Sequence, residues 1–303
     1  MENQMKAQIA KLKKEKNAVI LAHYYAPAEA QQIADHVGDS FYLAKVAKES
    51  TADVIVFCGV SFMGESAKLL NPQKKVLMPD LSADCPMAHM VAEGKIEEMR
   101  ARYKDLAVVC YVNSTARLKR KSDVCVTSSN AVKIVKALPN KNIFFIPDKN
   151  LGRYVAAQVP EKNIIVNDGY CPIHAAVTRE ALLAQKALHP DAPILIHPEC
   201  EPELLAVADV IGSTAELISY VAKSACDEFI VCTEVGVDHK LVTDNPTKRF
   251  YYPSPRPTCT DMKRNTLARI LSALQKEDGE VLLDDAVVEE ARKPLDRMLT
   301  LGR

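Results

Sequence analysis

Neither sign of charge is in excess: Lys+Arg and Asp+Glu are both 39 in a chain of 303 residues. A concentrated positive face, the footprint of a nucleic-acid protein, is therefore not expected. The densest basic cluster, KLKKEK at 11–16, contains Glu15 and reads as the solvated face of an N-terminal helix. The opening MENQMKAQIAKLKKEK has neither the apolar stretch nor the small-residue cleavage site of a signal peptide. No run is apolar for long enough to span a bilayer. A cytoplasmic protein without membrane association is expected. C-x-x-C is missing too, which excludes a local zinc knuckle or ribbon.

Nine cysteines are nevertheless present, an odd number without a secretion signal. In a reducing compartment such thiols serve metal binding or catalysis rather than disulfides. With no local motif, a metal centre must gather its cysteines from distant segments. Apolar residues, at 48%, suffice for a buried core. The length allows about two average domains or one large one.

Short β-branched runs alternate with helical periodicity along the whole chain, which marks an α/β fold. Strands are predicted over 18–22, 54–58, 75–78, 106–111, 124–126, 142–146, 193–196, 209–211 and 229–232. The clearest helices are predicted over 40–48, 131–137 and 215–222, where apolar residues recur at spacings of three and four. One unit is used three times: a strand with a polar end, a second strand meeting a Ser-rich turn before a helix, and a third strand. VIVFCGVSFMGESAKLL from Val54, DVCVTSSNAVKIVKAL from Asp123 and DVIGSTAELISYVAKS from Asp209 carry the repeat. The expected organisation is an N-terminal helix over 1–16, αβα repeats over 17–100, 101–189 and 190–275, and a C-terminal helical segment over 276–303 packed on the core.

Three sets of residues carry chemistry. The opening strands end in His23-Tyr24-Tyr25, Tyr111-Val112-Asn113 and His197-Pro198-Glu199. Residues two apart on a strand share a face, and parallel α/β sheets bind ligands beyond their strand ends. Asp39-Ser40, Ser128-Ser129-Asn130 and Ser213-Thr214 precede helices. Helix capping explains each one singly; together, three helix N-termini facing one centre hold a polyanion without many cations. Cys85, Cys171 and Cys259 lie 86 and 88 residues apart, about one unit each, in loop contexts. Three thiolates from equivalent loops can bind one Fe–S cluster and leave an iron open to substrate. Cys58, Cys110, Cys125, Cys226 and Cys232 lie in or beside apolar runs and read as structural. Cys200 adjoins the His197–Glu199 cluster and reads as structural or supporting.

The segments ILAHYYAPAEAQQIADHVGDS (20–40), FCGVSFMGESAKLLNP (57–72), YVNSTARLKRKSDVCVTSSNAVKIV (111–135), GYCPIH (169–174), HPEC (197–200), IGST (211–214) and FIVCTEVGVDHKL (229–241) stand in this order ahead of Cys259. Together they resemble the quinolinate synthase family over nearly the whole chain. The resemblance implies three pseudo-symmetric three-layer αβα domains in a triangle around a central active site. It implies one [4Fe–4S] cluster per chain on Cys85, Cys171 and Cys259, with one open iron. The implied reaction condenses iminoaspartate with dihydroxyacetone phosphate to quinolinate, phosphate and two waters, in nicotinamide nucleotide synthesis. A functional link to an L-aspartate oxidase or dehydrogenase goes with it.

By the same resemblance, Tyr25 transfers a proton during phosphate loss and isomerisation, and His23 orients substrate beside it. Tyr111 and Asn113 hold a carboxylate or carbonyl. Ser40, Ser128, Ser213 and Thr214 take carboxylate or phosphate oxygens. His197 and Glu199 serve as general acid and base, and His174 supports cluster or substrate. The chain departs from the family pattern at Asn167, where Trp is frequent, at Asp84, where Gly or Thr is expected, and at Ser61, where His is common. Pro253 and Arg256 replace the first two cysteines of a C-x-x-C-x-x-C run found in some relatives, which argues against disulfide regulation there. Two alternatives stay open: an Fe–S hydro-lyase acting on another hydroxy acid, and an iron–sulfur sensor. The first would not need a phosphate site. The second leaves the His, Tyr and Glu clusters unexplained.

Overall fold

The computed structural model describes residues 2–302. It contains three parallel four-stranded sheets alternating with helices, an α/β architecture of three αβα units. The first sheet comprises β1 (Ala18–His23), β2 (His36–Gly38), β3 (Val54–Cys58) and β4 (Lys75–Leu77). β5 (Leu106–Tyr111), β6 (Val124–Val126), β7 (Asn142–Ile146) and β8 (Asn163–Val166) form the second. β9 (Ile194–Ile196), β10 (Val210–Ile211), β11 (Glu228–Cys232) and β12 (Arg249–Tyr251) form the third. The strand orders are β2-β1-β3-β4, β6-β5-β7-β8 and β10-β9-β11-β12, one topology repeated three times.

The two central strands of each sheet are the ones most legible in the sequence. β1 pairs with β3 from Ala18↔Val54 to Ala22↔Cys58, and β5 with β7 from Leu106↔Asn142 to Cys110↔Ile146. Covered on both faces, such strands need continuous apolar runs. The strands His36–Gly38, Asn163–Val166 and Arg249–Tyr251, not predicted, are all edge strands. They are partly exposed and carry His, Asn or Arg, so their apolar signal is weak.

Buried side chains form one large cluster joining the first two units, in which Leu43, Phe57, Val109, Ile134 and Phe145 are all enclosed. The C-terminal helix Asp285–Leu301 inserts Leu295, Met298 and Leu299 into it. Burying each such side chain is worth about 1.5–3 kcal/mol. The helix Leu267–Lys276 follows the third sheet in sequence but packs on the first, with Leu267, Ile270 and Leu274 against Ile20 and Val56. It also meets the N-terminal helix Glu2–Glu15.

Side-chain bonds across the seams tie each unit to the next. Asn167 Nδ2 donates to Met90 O at 2.8 Å and Pro147 O at 3.0 Å, joining the first and second units. Asn150 Nδ2 donates to Glu199 O at 3.1 Å, joining the second and third. Asn265 Nδ2 donates to Gly59 O at 3.0 Å, and Lys263 Nζ to Tyr25 O at 2.7 Å, returning the third to the first. The three units thus close into a ring, and Asn167 serves as a seam pin.

Candidate active site

A cavity of about 200 Å³ opens where the three units meet. Its lining includes His23, Tyr25 and Ser40 from the first unit. Tyr111, Asn113, Ser128 and His174 come from the second, and His197, Glu199 and Thr214 from the third. Cys85, Cys171 and Cys259 reach it from the loops after β4, β8 and β12. Ser213 is the one sequence-predicted site residue absent from that lining. Its hydroxyl donates to Glu216 Oε2 at 2.7 Å and accepts from Glu216 N, a capping box for the helix Thr214–Lys223.

The helix starts are built differently. Asp39 caps the helix Ser40–Glu49 by accepting from Tyr42 N at 2.8 Å, leaving Ser40 at its first turn. Asn130 precedes the helix Ala131–Ala137 but turns Oδ1 back to Thr127 N at 2.7 Å, tightening the turn that presents Ser128.

His23 and His197 make the same local bond in equivalent places. His23 Nδ1 accepts from Tyr25 N at 3.1 Å, and His197 Nδ1 accepts from Glu199 N at 3.3 Å. Burial and then the charge of Lys263 push His23 down to about 3. Burial brings His197 to about 4, with Glu199 opposing. Both rings are therefore neutral at pH 7. With Nδ1 accepting, the proton sits on Nε2, so each is a hydrogen-bond donor.

Glu199 is buried and ionised. Burial works to raise its carboxyl, but His174, His197 and the Tyr111 hydroxyl outweigh burial and hold it at about 2. His174 Nδ1 lies 2.8 Å from Glu199 Oε2, and its ring stacks on His197 at 4.9 Å between centroids. Tyr25 Oη lies 2.7 Å from both Thr214 Oγ1 and Thr233 Oγ1. Burial lifts the Tyr25 phenol well above its ordinary value, and those two hydrogen bonds work the other way. Asn113 Oδ1 is buried without a partner, an acceptor free for a ligand donor.

The three cavity cysteines are free thiols. Burial pushes Cys85 up to about 12 and raises Cys171 and Cys259, and each pair of Cys85 with another opposes joint ionisation. Enclosed thiols of this kind become thiolates only when a cation compensates them, so the donor set fits a bound metal centre. Cys171, His174 and Glu199 also offer ligand atoms within 4.8 Å of one another. There His174 Nδ1 lies 2.8 Å from Glu199 Oε2 and 3.2 Å from Cys171 Sγ, and these two contacts account for the approach.

Beside Cys85, the carboxylate of Asp84 accepts from Ser61 Oγ, from Cys85 N at 2.8 Å and pairs with His89 Nε2 at 2.8 Å. Burial would raise Asp84, but these bonds keep it below its ordinary value. The two departures at positions 61 and 84 are thus partners of one another.

Several residues at the site were not singled out from sequence. Glu234 is buried, ion-paired with Lys263 at 2.9 Å, and accepts Cys259 N at 2.9 Å and Gly236 N at 2.6 Å. Thr233 touches Tyr25 and His174. Both follow β11 directly, so the strand-end argument applied to the opening strands would have found them on the third strand.

A cavity that gathers three thiols, neutral histidines and an ionised buried carboxylate from three α/β units defines an enzyme site. The family model described as quinolinate synthetase A protein matches residues 7–300. Proteins named quinolinate synthase are similar over almost their whole length. The one from Caldicellulosiruptor saccharolyticus is 50% identical over 298 residues, covering 98% of each chain. That from Fusobacterium nucleatum is 51% identical over 298 residues, covering 98% of this chain and 99% of its own. That from Clostridioides difficile is 47% identical over 302 residues, covering 100% and 99%. The chain belongs to the quinolinate synthetase A family and is an enzyme of that type. Among the described residues, no helix is long and apolar enough to cross a membrane.

Proposed function

We propose that the protein is a quinolinate synthase of nicotinamide nucleotide synthesis, joining iminoaspartate to dihydroxyacetone phosphate with release of phosphate and two waters. The observation that carries this reading is the convergence of Cys85, Cys171 and Cys259 on the cavity that holds Tyr25, His197 and Glu199. Cys85, Cys171 and Cys259 would hold a [4Fe–4S] cluster, which would supply Lewis-acid polarisation of a substrate oxygen.

The remaining work falls to side chains. Ser40, Ser128 and Thr214 bind carboxylate and phosphate oxygens, with Asn113 Oδ1 accepting from the substrate nitrogen or a hydroxyl. His23 and His197, protonated on Nε2, donate to oxygens that gain charge. Tyr25 moves the proton during phosphate loss and isomerisation, and Glu199 accepts the proton lost on imine formation and on the final dehydration. Proton transfer by a placed group contributes about 10²–10⁴-fold each. The imine substrate links the enzyme to an L-aspartate oxidase or dehydrogenase, and its place of action is the cytoplasm.

Anaerobic quinolinate formation by purified, cluster-reconstituted protein tests the reading. Product that disappears when Cys85, Cys171 or Cys259 is changed to Ala supports it. No product from protein with a full iron and sulfide complement overturns the substrate assignment and favours a hydro-lyase that needs no phosphate.

A further inference from the structure

Asp84 stands in the loop after β4, directly before Cys85, and Ser61 opens the helix Ser61–Leu70. Asp84 Oδ1 accepts from the Ser61 hydroxyl and from Cys85 N at 2.8 Å. The turn Pro86–His89 brings His89 Nε2 to 2.8 Å from Asp84 Oδ2. The Asp84 main-chain N–H donates to Asp261 Oδ1 at 3.3 Å. These bonds fix the carboxylate against Cys85, on the wall of the cavity.

The acids near the three thiols are not alike. Glu234 is ion-paired with Lys263 at 2.9 Å, and Asp261 with Arg264 at 3.3 Å. Among the described residues, Asp84 has no lysine or arginine at ion-pair distance; its one such contact is His89. Its charge therefore acts on the site, weakened by water because the side chain is 45% exposed. The carboxylate also occupies the Cys85 N–H, a donor that is then not available to sulfur. Net charge and hydrogen bonds to sulfur both set the reduction potential of an Fe–S centre. A nearby negative charge disfavours an added electron, and so does the loss of a donor, so the two effects of Asp84 have the same sign.

We infer that Asp84 lowers the reduction potential of the iron–sulfur centre that Cys85, Cys171 and Cys259 would hold, and so keeps it in the 2+ state against low-potential reductants. The inference rests on the functional reading above. Its value to the reaction is electrostatic: a centre with one electron fewer is the stronger Lewis acid toward a substrate oxygen. Asp84 acts here through Cys85 and touches no substrate.

The test is an anaerobic dithionite titration of reconstituted protein, read by electron paramagnetic resonance, with iron, sulfide and quinolinate formation measured alongside. One electron passes from dithionite to the [4Fe–4S]2+ cluster and gives the 1+ form. Asp84→Asn keeps the shape and removes the charge. It is expected to shift this equilibrium about three- to tenfold toward the reduced form, tenfold being about 59 mV for one electron. Ser61→Ala keeps the charge and removes a donor that disperses it, so it is expected to shift the equilibrium the other way, by less. An Asp84→Asn potential that is unchanged or lower overturns the inference, as does a Ser61→Ala shift in the same direction as that of Asp84→Asn. If Asp84→Asn holds no cluster, Ser61→Ala decides: a shift toward the oxidised form supports the inference, and no shift or the opposite one overturns it. Wild-type protein that carries a full cluster and makes no quinolinate defeats the functional reading by itself, and the potentials still decide the role of Asp84. Wild-type protein that retains no cluster defeats both.

Discussion

Gly236 sits on the seam between the third and first units, against the main chain of Tyr25. Its φ is −60°, open to any residue, so space and not conformation calls for glycine there. A Cβ at Gly236 would stand 2.6 Å from Tyr25 Cα and 2.7 Å from both Tyr25 C and Lys263 Nζ, where ordinary contact begins at 3.4 Å. Lys263 is a flexible side-chain end and can yield; the Tyr25 backbone cannot. The glycine turn is pinned as well, by Gly236 N to Glu234 at 2.6 Å and by Gln31 Nε2 to Gly236 O at 3.0 Å. Gly236→Ala must therefore part the two segments by about 0.8 Å, the shortfall from ordinary contact. A displacement approaching 1 Å at a proton-transfer residue costs on the order of a hundredfold in rate. Overpacking should also cost about 1–3 kcal/mol of stability. Initial rates of quinolinate formation by cluster-loaded protein, with urea unfolding alongside, read both. Gly94→Ala is the contrast: φ is 75° with nothing within 4 Å, so alanine there costs about 1 kcal/mol and leaves the rate alone. A Gly236→Ala enzyme with undiminished kcat would refute the steric argument and the weight placed on Tyr25.

Changing Cys85, Cys171 or Cys259 to Ala should abolish iron and sulfide retention and the visible absorption of reconstituted protein, whereas Cys226→Ala, at an exposed cysteine, should leave them intact. Ser213→Ala removes the capping box and should lower stability by about 1 kcal/mol in urea titration, with KM for either substrate within about twofold. Acid should weaken the cluster-free fold through His23 and His197. Each is neutral in the folded state and binds a proton when unfolded below about pH 6.5, so stability falls as pH drops from there toward about 4 for His197 and about 3 for His23. Urea midpoints across that window measure the slope, and His23→Gln, which does not titrate, should flatten it; an unchanged slope would count against a neutral buried His23.

The fold was legible where burial forces composition. β1, β3, β5, β7 and β11 are covered on both faces and read as short apolar runs rich in Val, Ile and Phe. The edge strands His36–Gly38 and Arg249–Tyr251 obey no such demand, and their sequences could as well be loops. The place of the helix Leu267–Lys276 was hidden for another reason. Its apolar face is plain, but periodicity names a buried face and not the sheet that buries it, and here that sheet belongs to the first unit. The polar pairs at opening-strand ends were visible because they recur at one position in each unit. Thr233 and Glu234 stand at a strand end too, but on the third strand of their unit rather than on an opening strand, and the role of Lys263 comes from a seam between units, which no local pattern encodes.

The closing of the three units into a ring has a bearing on how the protein is made. Synthesis runs from the N-terminus, so the first sheet, with Cys85, and the second, with Cys171, leave the ribosome before Cys259 exists. The joint that shuts the ring, Lys263 to Tyr25 and Asn265 to Gly59, spans more than two hundred residues and cannot form before residues 263 and 265 have been made. Until residue 259 is added, only two of the three cavity thiols have been made. If the proposed cluster is held by all three thiols, it can be loaded only once residue 259 has been made, and a chain that stops short of that residue would lack the third cavity thiol.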